Sequence, residues 1–303
     1  MAVTYGRYDP EVLRRVQEVE TEELREIIRI CEKYDLRYFL MYGSIIGAVR
    51  HQGFIPWDDD TDIVLPREDY NRLLEIVETE WGTDGAYELL CPEKPGSYYH
   101  LIPRMVKKGT KFITEANAGR YPNAGIAIDI FPLDYAATDP EKRRRQIKKA
   151  QLWKNVYMVR NVNFMKVKPL STVKKFVHIA LGLIRGAMIV LQIKPEWIYQ
   201  KYQSWVFRYP EEKEIRTVFC DLKPWEICSK ESEFFPTVQM PYEGLEAALP
   251  GNYDALATRI YGDYMTPPPE GKRYNHAPAL VEFEDGLRQV NGVVEERKTE
   301  GSV

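Results

Sequence analysis

Four aspartates, Asp58, Asp59, Asp60 and Asp62, crowd into residues 41–65, MYGSIIGAVRHQGFIPWDDDTDIVL. Ile63, Val64 and Leu65 follow them, so the run is expected to be a strand entering a sheet, on which side chains two positions apart share a face. Asp58, Asp60 and Asp62 should then point one way and Asp59 the other. Like charges held together raise one another's pKa and cost stability unless a cation neutralises them, and closely spaced oxygen donors suit a hard divalent ion such as Mg2+. The alternative is a solvated acidic loop. Against it, Ile55-Pro56-Trp57 before the acids and Ile63-Val64-Leu65 after them would have to lie at the surface too.

Upstream, residues 38–42 (YFLMY) have strand character and end at Gly43-Ser44. Ser44 is the expected N-cap of a short helix continuing through Ile45, Ile46, Ala48 and Val49. A strand, a Gly-Ser turn and a helix N-terminus form a phosphate site, and Arg50 at the end of that helix could reach a phosphate as a bidentate donor. A phosphate cradle beside a divalent metal is the minimal equipment for phosphoryl transfer. A second acidic strand is expected at residues 125–134, GIAIDIFPLD, where Asp129 faces away from Ile126, Ile128 and Ile130. It either joins the acid site or lies exposed on a half-solvated strand. Asp134, after Pro132, is expected in a turn. Residues 100–106 and 111–114 suggest a hairpin around 107–110, which places Arg104 inside an apolar strand. Its partner is then a carboxylate or a bound phosphate, in the site or in a structural salt bridge.

The elements that must hold these residues are legible around them. Residues 10–34 carry Leu13, Val16, Glu20, Leu24, Ile27, Ile28 and Cys31 at helical spacing, a helix expected to serve structure alone. A second helix is expected over 67–81, giving the strand-helix-strand-helix order of a mixed α/β sheet. At 303 residues and 44% hydrophobic, the chain has the size of one enzyme domain or one plus a subdomain. Four scattered cysteines without CxxC spacing, and no N-terminal signal segment, point to a reducing, cytoplasmic setting and away from a zinc site. Residues 141–201 hold 15 Lys or Arg against 2 Glu in a chain of net charge −3. Within them, residues 176–193 (FVHIALGLIRGAMIVLQI) are apolar apart from His178, Arg185 and Gln192. This stretch is either a helix lying on an anionic membrane surface or a buried core helix. Nucleic acid is disfavoured as a partner, because the apolar stretch is too long for a phosphate-tracking groove. The residues from 291 to 303 are expected to fray.

In this order, the segments resemble the LicD family of phosphocholine transferases, within the nucleotidyltransferase-like superfamily that includes fukutin and fukutin-related protein. The likeness rests on Tyr42-Gly43-Ser44 with Gly47 and Arg50, on Ile55-Pro56-Trp57-Asp58-Asp59-Asp60-Thr61-Asp62-Ile63, on Ile128-Asp129-Ile130-Phe131-Pro132, and on a block within residues 238–268 that includes Tyr261-Gly262-Asp263-Tyr264. It implies an α/β (α+β) fold, a nucleotidyltransferase-like mixed sheet flanked by helices with a helical basic insertion. The expected divisions are a catalytic core at 1–138, the basic helical region at 139–235, a segment returning to the core at 236–290, and a tail at 291–303.

Carried over to this sequence, the resemblance makes Asp60 and Asp62 a metal-binding pair and Asp129 the third carboxylate and the base. Gly43, Ser44, Arg50 and Arg104 are expected at the donor's phosphates, and Trp57, Asp58 and His276 in supporting or substrate-binding places. The implied reaction moves phosphocholine from CDP-choline to a hydroxyl of a glycan, with release of CMP and with one or two Mg2+ ions for which Mn2+ can substitute. Lipid-linked acceptors at the inner membrane face, as in lipopolysaccharide or teichoic acid assembly, would agree with peripheral membrane contact. Choline has no hydrogen-bond donor, which leaves aromatic faces and nearby carboxylates to recognise it, and among 20 Tyr and 6 Trp the aromatic candidates are Trp57, Tyr98, Tyr99 and Trp225. Alternative cargoes are ribitol phosphate, glycerol phosphate, a sugar phosphate or a nucleotidyl group. A non-catalytic, membrane-associated scaffold is the alternative outside enzymes.

Overall fold

The computed structural model describes residues 8–94, 98, 100–114, 125–162 and 172–296. Helix α1 (Pro10–Tyr34) has the bounds its spacing predicts. The Asp9 carboxylate accepts the backbone N–H groups of Glu11 and Val12 at 2.9 and 3.4 Å, and Pro10 occupies the first turn, where a missing N–H costs nothing. Its buried face carries Val12, Val16, Leu24, Ile27 and Cys31, and also the polar Gln17, Glu20, Thr21 and Glu23, a load that packing alone does not require.

Strand β1 (Phe39–Leu40) is shorter than the expected 38–42, because the chain turns at Tyr42 (φ 51°, ψ −126°) into α2 (Gly43–His51). Strand β2 (Asp62–Pro66) is buried throughout and runs directly into α3 (Arg67–Trp81), the second predicted helix. After β3 (Tyr87–Leu90), β4 (Arg104–Lys107) and β5 (Lys111–Ile113) comes the long β6 (Ala127–Ala136). The central sheet is ordered β1-β2-β6-β4-β3, with β2 and β6 parallel and the other neighbours antiparallel. The expected hairpin between β4 and β5 does not form. Both edges of β4 are occupied, by β3 and β6, and Gly109 (φ 81°) turns the chain away.

Helices α4 (Pro140–Asn161), α5 (Thr172–Val190) and α6 (Pro195–Val206) stand between β6 and β7 (Ile215–Thr217), which pairs with the far end of β6. Next come α7 (Pro224–Ile227), β8 (Ser229–Lys230), α8 (Glu231–Phe234), the hairpin of β9 (Val238–Tyr242) and β10 (Leu245–Leu249), and α9 (Tyr253–Tyr261). β11 (Leu280–Glu282) pairs with β5 and with β12 (Leu287–Val290), which pairs with β13 (Val293–Glu296). The core joins Leu24, Ile27 and Ile30 of α1, Phe39 and Leu40, Ile63 to Leu65, and Ile128 and Ile130 to Tyr242 and Leu249 of the C-terminal block. The result is a mixed α+β sheet flanked by helices, consistent with the nucleotidyltransferase-like architecture that the resemblance implies.

Two further expectations need correction, and one of two open alternatives closes. Asp134 is not in a turn: it is buried in β6, where its two oxygens accept from Arg67 at 2.7 and 2.9 Å. The tail does not fray from 291, since Asn291 (φ 49°) and Gly292 (φ 85°) make the left-handed two-residue turn that closes β12 onto β13. Helix α5 is not a buried core helix: of its side chains described, Met188 alone is buried.

Candidate active site

The two acidic stretches meet on the parallel pair. Asp62 opens β2 directly beside Asp129 of β6, and on the far side of β6 Arg104 of β4 lies opposite Asp129. Registered neighbours on adjacent strands present their side chains to the same face, so acid, acid and base line up across three strands. Arg104 Nε stands 2.6 Å from Asp129 Oδ1, and its Nη2 donates to Oδ2 at 3.1 Å. The partner of Arg104 is thus a carboxylate of the site.

Asp58, Asp59 and Asp60 are not on the strand, because the β2 ladder begins only at Asp62, where β6 is available to pair. Helix α1 holds this lead-in instead. Gln17 Nε2 donates to the Asp58 carbonyl at 2.9 Å, and Thr61 Oγ1 donates to the buried Glu20 carboxylate at 2.9 Å. Off the strand the expected alternation does not hold: Asp59 and Asp60 line one cavity, each 3.4 Å from His276 Nδ1, while the charges of Asp58, Asp60 and Asp62 act on one another. Burial, then the charge of Asp60, pushes the Asp58 carboxyl well up, and the two share a hydrogen bond. Burial, followed by Asp60, Asp129 and Asp58, does the same to Asp62. Asp60 is raised by burial and by Asp59, against the opposing charge of His276. Asp59, in the same cavity, accepts from Tyr8 Oη at 2.8 Å and from the His276 backbone N–H at 2.6 Å, tying the lead into α1 and the segment before β11 to the acids.

Ser44 is not the N-cap. It lies inside α2, buried, and its Oγ accepts the N–H of Asp62 at 3.0 Å, so the hydroxyl oxygen positions the acid strand. Gly43 leaves room for Asp58: a Cβ there would meet Asp58 Oδ2 at 2.8 Å, so a larger residue would have to displace that carboxylate. Tyr42, the residue before it, adopts a positive φ that aromatic residues rarely take, and such outliers concentrate at functional sites.

His276 does line the site. Its Nδ1 is 3.4 Å from both Asp59 Oδ1 and Asp60 Oδ2, and the hydrogen bond to Asp59, reinforced by the charge of Asp60, pushes the imidazole up to about 9, although burial opposes this. Arg50 donates to the Tyr264 carbonyl at 2.7 Å, and its guanidinium lies 6.0 Å from the Trp57 ring, which Arg273 covers at 4.4 Å. Trp57 therefore already serves two cations. Of the other choline candidates, Tyr98 is buried with its hydroxyl donating to the Ile102 carbonyl, Trp225 lies on α7, and Tyr99 is outside the described residues.

Sequence reasoning missed three residues here. Glu20 was legible as an acid in an apolar helical stripe, but its stripe was read as packing. Tyr261, whose phenol is raised by burial and then by Asp62, Asp60 and Asp58, sits in the block that carried the resemblance. Arg273 had no local signal, because its partner Trp57 is remote in sequence.

A cavity of about 80 Å³ opens among Glu20, Asp59, Asp60, Arg104, Asp129 and His276. That is room for an ion and a water or two, at roughly 30 Å³ per water, and not for a nucleotide. Among the described residues, no three His, Cys, Asp or Glu side chains converge as a formed metal site. The donors nonetheless fit a hard divalent ion in type: all are oxygens, and the mutual repulsion that helps to raise Asp58 and Asp62 is what a cation would relieve.

Residues 35–174, which include both acid stretches and Arg104, match the family model described as LicD/FKTN/FKRP, nucleotidyltransferase domain. The chain is similar to the lipopolysaccharide cholinephosphotransferase LicD of Haemophilus influenzae, 27% identical over 255 residues that cover 82% of this chain and 89% of that protein. It is also similar to the ribitol 5-phosphate transferase FKRP of Mus musculus, 33% identical over 78 residues, 26% of this chain and 15% of the relative. The human FKRP is 36% identical over 62 residues, 20% of this chain and 12% of its own. With the acids gathered on β2 and β6 as described, residues 35–174 match the nucleotidyltransferase domain of the LicD/FKTN/FKRP family, and the likeness to a LicD cholinephosphotransferase extends over most of the chain.

Proposed function

We propose that this chain is a phospho-substituent transferase that moves phosphocholine from CDP-choline to a glycan hydroxyl and releases CMP. The observation that carries the reading is the meeting of Asp62 and Asp129, from separate stretches of chain, in register on β2 and β6 with Asp60 beside them. The name of the Haemophilus relative supports the cargo and a glycan acceptor.

In the proposed step, the acceptor oxygen attacks the phosphorus that bears choline, the bond from that phosphorus to the CMP oxygen breaks, and its electron pair leaves with CMP. Asp129 takes the acceptor proton, and Arg104 fixes the orientation of that carboxylate from the neighbouring strand. Asp60, Asp62 and Asp129 would hold a divalent cation. When bound, Mg2+ or Mn2+ supplies the positive charge that neutralises the diphosphate and the charge developing on the leaving group. Ser44 holds the β2 backbone in place through Asp62, and Gly43 leaves the space in which Asp58 sits. Arg50 and Arg273, both against the Trp57 ring next to the acid run in sequence, would offer guanidinium groups to the nucleotide's phosphates.

A second cargo is also open: the Trp57 ring is already covered by Arg273 and the Tyr98 ring is buried, which leaves Tyr261 beside the acids and Trp225, 44% and 45% exposed, as the faces a quaternary ammonium could use. An alditol phosphate such as ribitol phosphate needs no such face, and a ribitol 5-phosphate transferase is among the relatives. The test is CMP release in Mg2+ from CDP-choline, CDP-ribitol and CDP-glycerol with candidate glycans. Release that falls by about a hundredfold or more in Asp60→Ala is expected. Release undiminished in that variant, or absent with every donor, overturns the assignment.

A further inference from the structure

Helix α5 is built inside out. Among its described side chains, His178, Leu181, Gly182, Arg185 and Met188 are the ones sheltered by the protein, and they recur every three to four residues along one face. That face holds both polar residues of residues 176–190. The opposite face carries Phe176, Leu183 and Val190 in a line of seven-residue steps, exposed by 68%, 72% and 81%, with Ile184 beside them. A surface helix of a water-soluble domain shows the reverse arrangement, apolar inward and polar outward. An apolar ridge of this kind, 19 residues and so about 28 Å long, needs a cover other than water.

Charge selects the cover. Residues 141–201 carry a local excess of +13, from 15 Lys or Arg against 2 Glu, while the whole chain is −3. Arg144, Arg145, Lys148 and Lys149 are exposed on α4, which packs against α5, and Lys194 and Lys201 are exposed just beyond it. A second copy docking through α5 would set this excess against itself. An anionic bilayer complements it, and each cation near such a surface adds attraction.

No single helix among the described residues is long and apolar enough to cross a membrane; α5 and α6 together have the length and composition, but they are bent by 106°. Helix α6 buries Ile198, Tyr202 and Val206 in the core and is therefore not free to complete a crossing. We propose that α5 is an in-plane anchor, whose outward ridge enters the acyl boundary of an anionic bilayer while the lysines and arginines of α4 and its surroundings meet the lipid phosphates. This placement does not depend on which donor the acid site uses.

The test is co-sedimentation of the full chain with vesicles of phosphatidylcholine alone, or with about one third phosphatidylglycerol. Binding to the anionic vesicles that weakens at high salt is expected. Replacing Phe176→Ser, Leu183→Ser and Val190→Ser together should cut partitioning by about a hundredfold with an unchanged melting temperature, and Lys148→Glu with Lys149→Glu by at least about tenfold. The single change Leu183→Glu, at a solvent-facing position, serves if the triple variant fails to fold. No binding to anionic vesicles, or binding undiminished by Leu183→Glu, overturns the proposal. So does a chain that elutes as a dimer which Leu183→Glu converts to monomer, because the ridge then belongs to a second copy.

Discussion

The pairing of Arg104 with Asp129 gives the site a measurable energy. The two groups approach to 2.6 Å, with 41% of the arginine and 16% of the aspartate side chain exposed. Removing one partner of a fully buried pair costs about 3–5 kcal/mol, whereas exposed pairs are worth about 0.2–1 kcal/mol. The half-open arginine places this coupling between them, at about 1–2 kcal/mol. Asp62, beside Asp129 on the neighbouring strand, makes the two single substitutions unequal. Arg104→Met leaves two acids side by side without their counter-charge, whereas Asp129→Asn removes the pair and the repulsion together. Arg104→Met should therefore be the more destabilising, by a margin set by the Asp62–Asp129 repulsion. Urea unfolding of the wild type, both single variants and the double variant closes the cycle, and a coupling of this size corresponds to about 2–5 °C in Tm. A coupling below about 0.3 kcal/mol, within the error of additivity, together with equal single costs, would show that the three groups do not share one electrostatic site.

Further outcomes follow from the same geometry. Gly43→Ala introduces a Cβ 2.8 Å from Asp58 Oδ2. Alanine gains about 0.5–1 kcal/mol of helix propensity there, so stability should hold while CMP release falls at least about tenfold. Equal activity would mean that the position of Asp58 is irrelevant. His276 is raised to about 9 by Asp59 and Asp60, above an unfolded value of about 6.5, so its stabilising contribution is complete below that lower value. It is lost as pH rises through about 9, and Tm of the wild type should fall more steeply across this window than that of His276→Gln. Parallel curves would contradict the contact.

Legibility in the sequence tracked the range of each interaction. Helices α1 and α3 were readable to the residue, because Asp9-Pro10 caps one and Pro66 fixes where the other starts. The acids of residues 58–62 and Asp129 could be linked in advance, since a charge inside an apolar strand demands a partner whatever the fold. Pairing was less visible. That β4 would be flanked on both sides, leaving β5 to join β11 across most of the chain, depends on tertiary topology and leaves no local trace. Glu20 was read as packing and Ser44 as an N-cap, since periodicity reports that a side chain faces inward and not what it meets there. The Asn291-Gly292 turn was a strong local signal passed over because it lay near the end of the chain.

The central claim, that acids from two stretches act as one cation-binding centre, is tested most directly by titrating Mn2+ into the wild type and into Asp62→Asn and Asp129→Asn in a calorimeter, with Tm followed in parallel. The register of β2 and β6 predicts that either substitution weakens binding by at least about tenfold and abolishes the cation-induced rise in Tm. Full-strength binding that survives Asp129→Asn while disappearing in Asp62→Asn would contradict it, because Asp129 would then stand beside the centre without belonging to it.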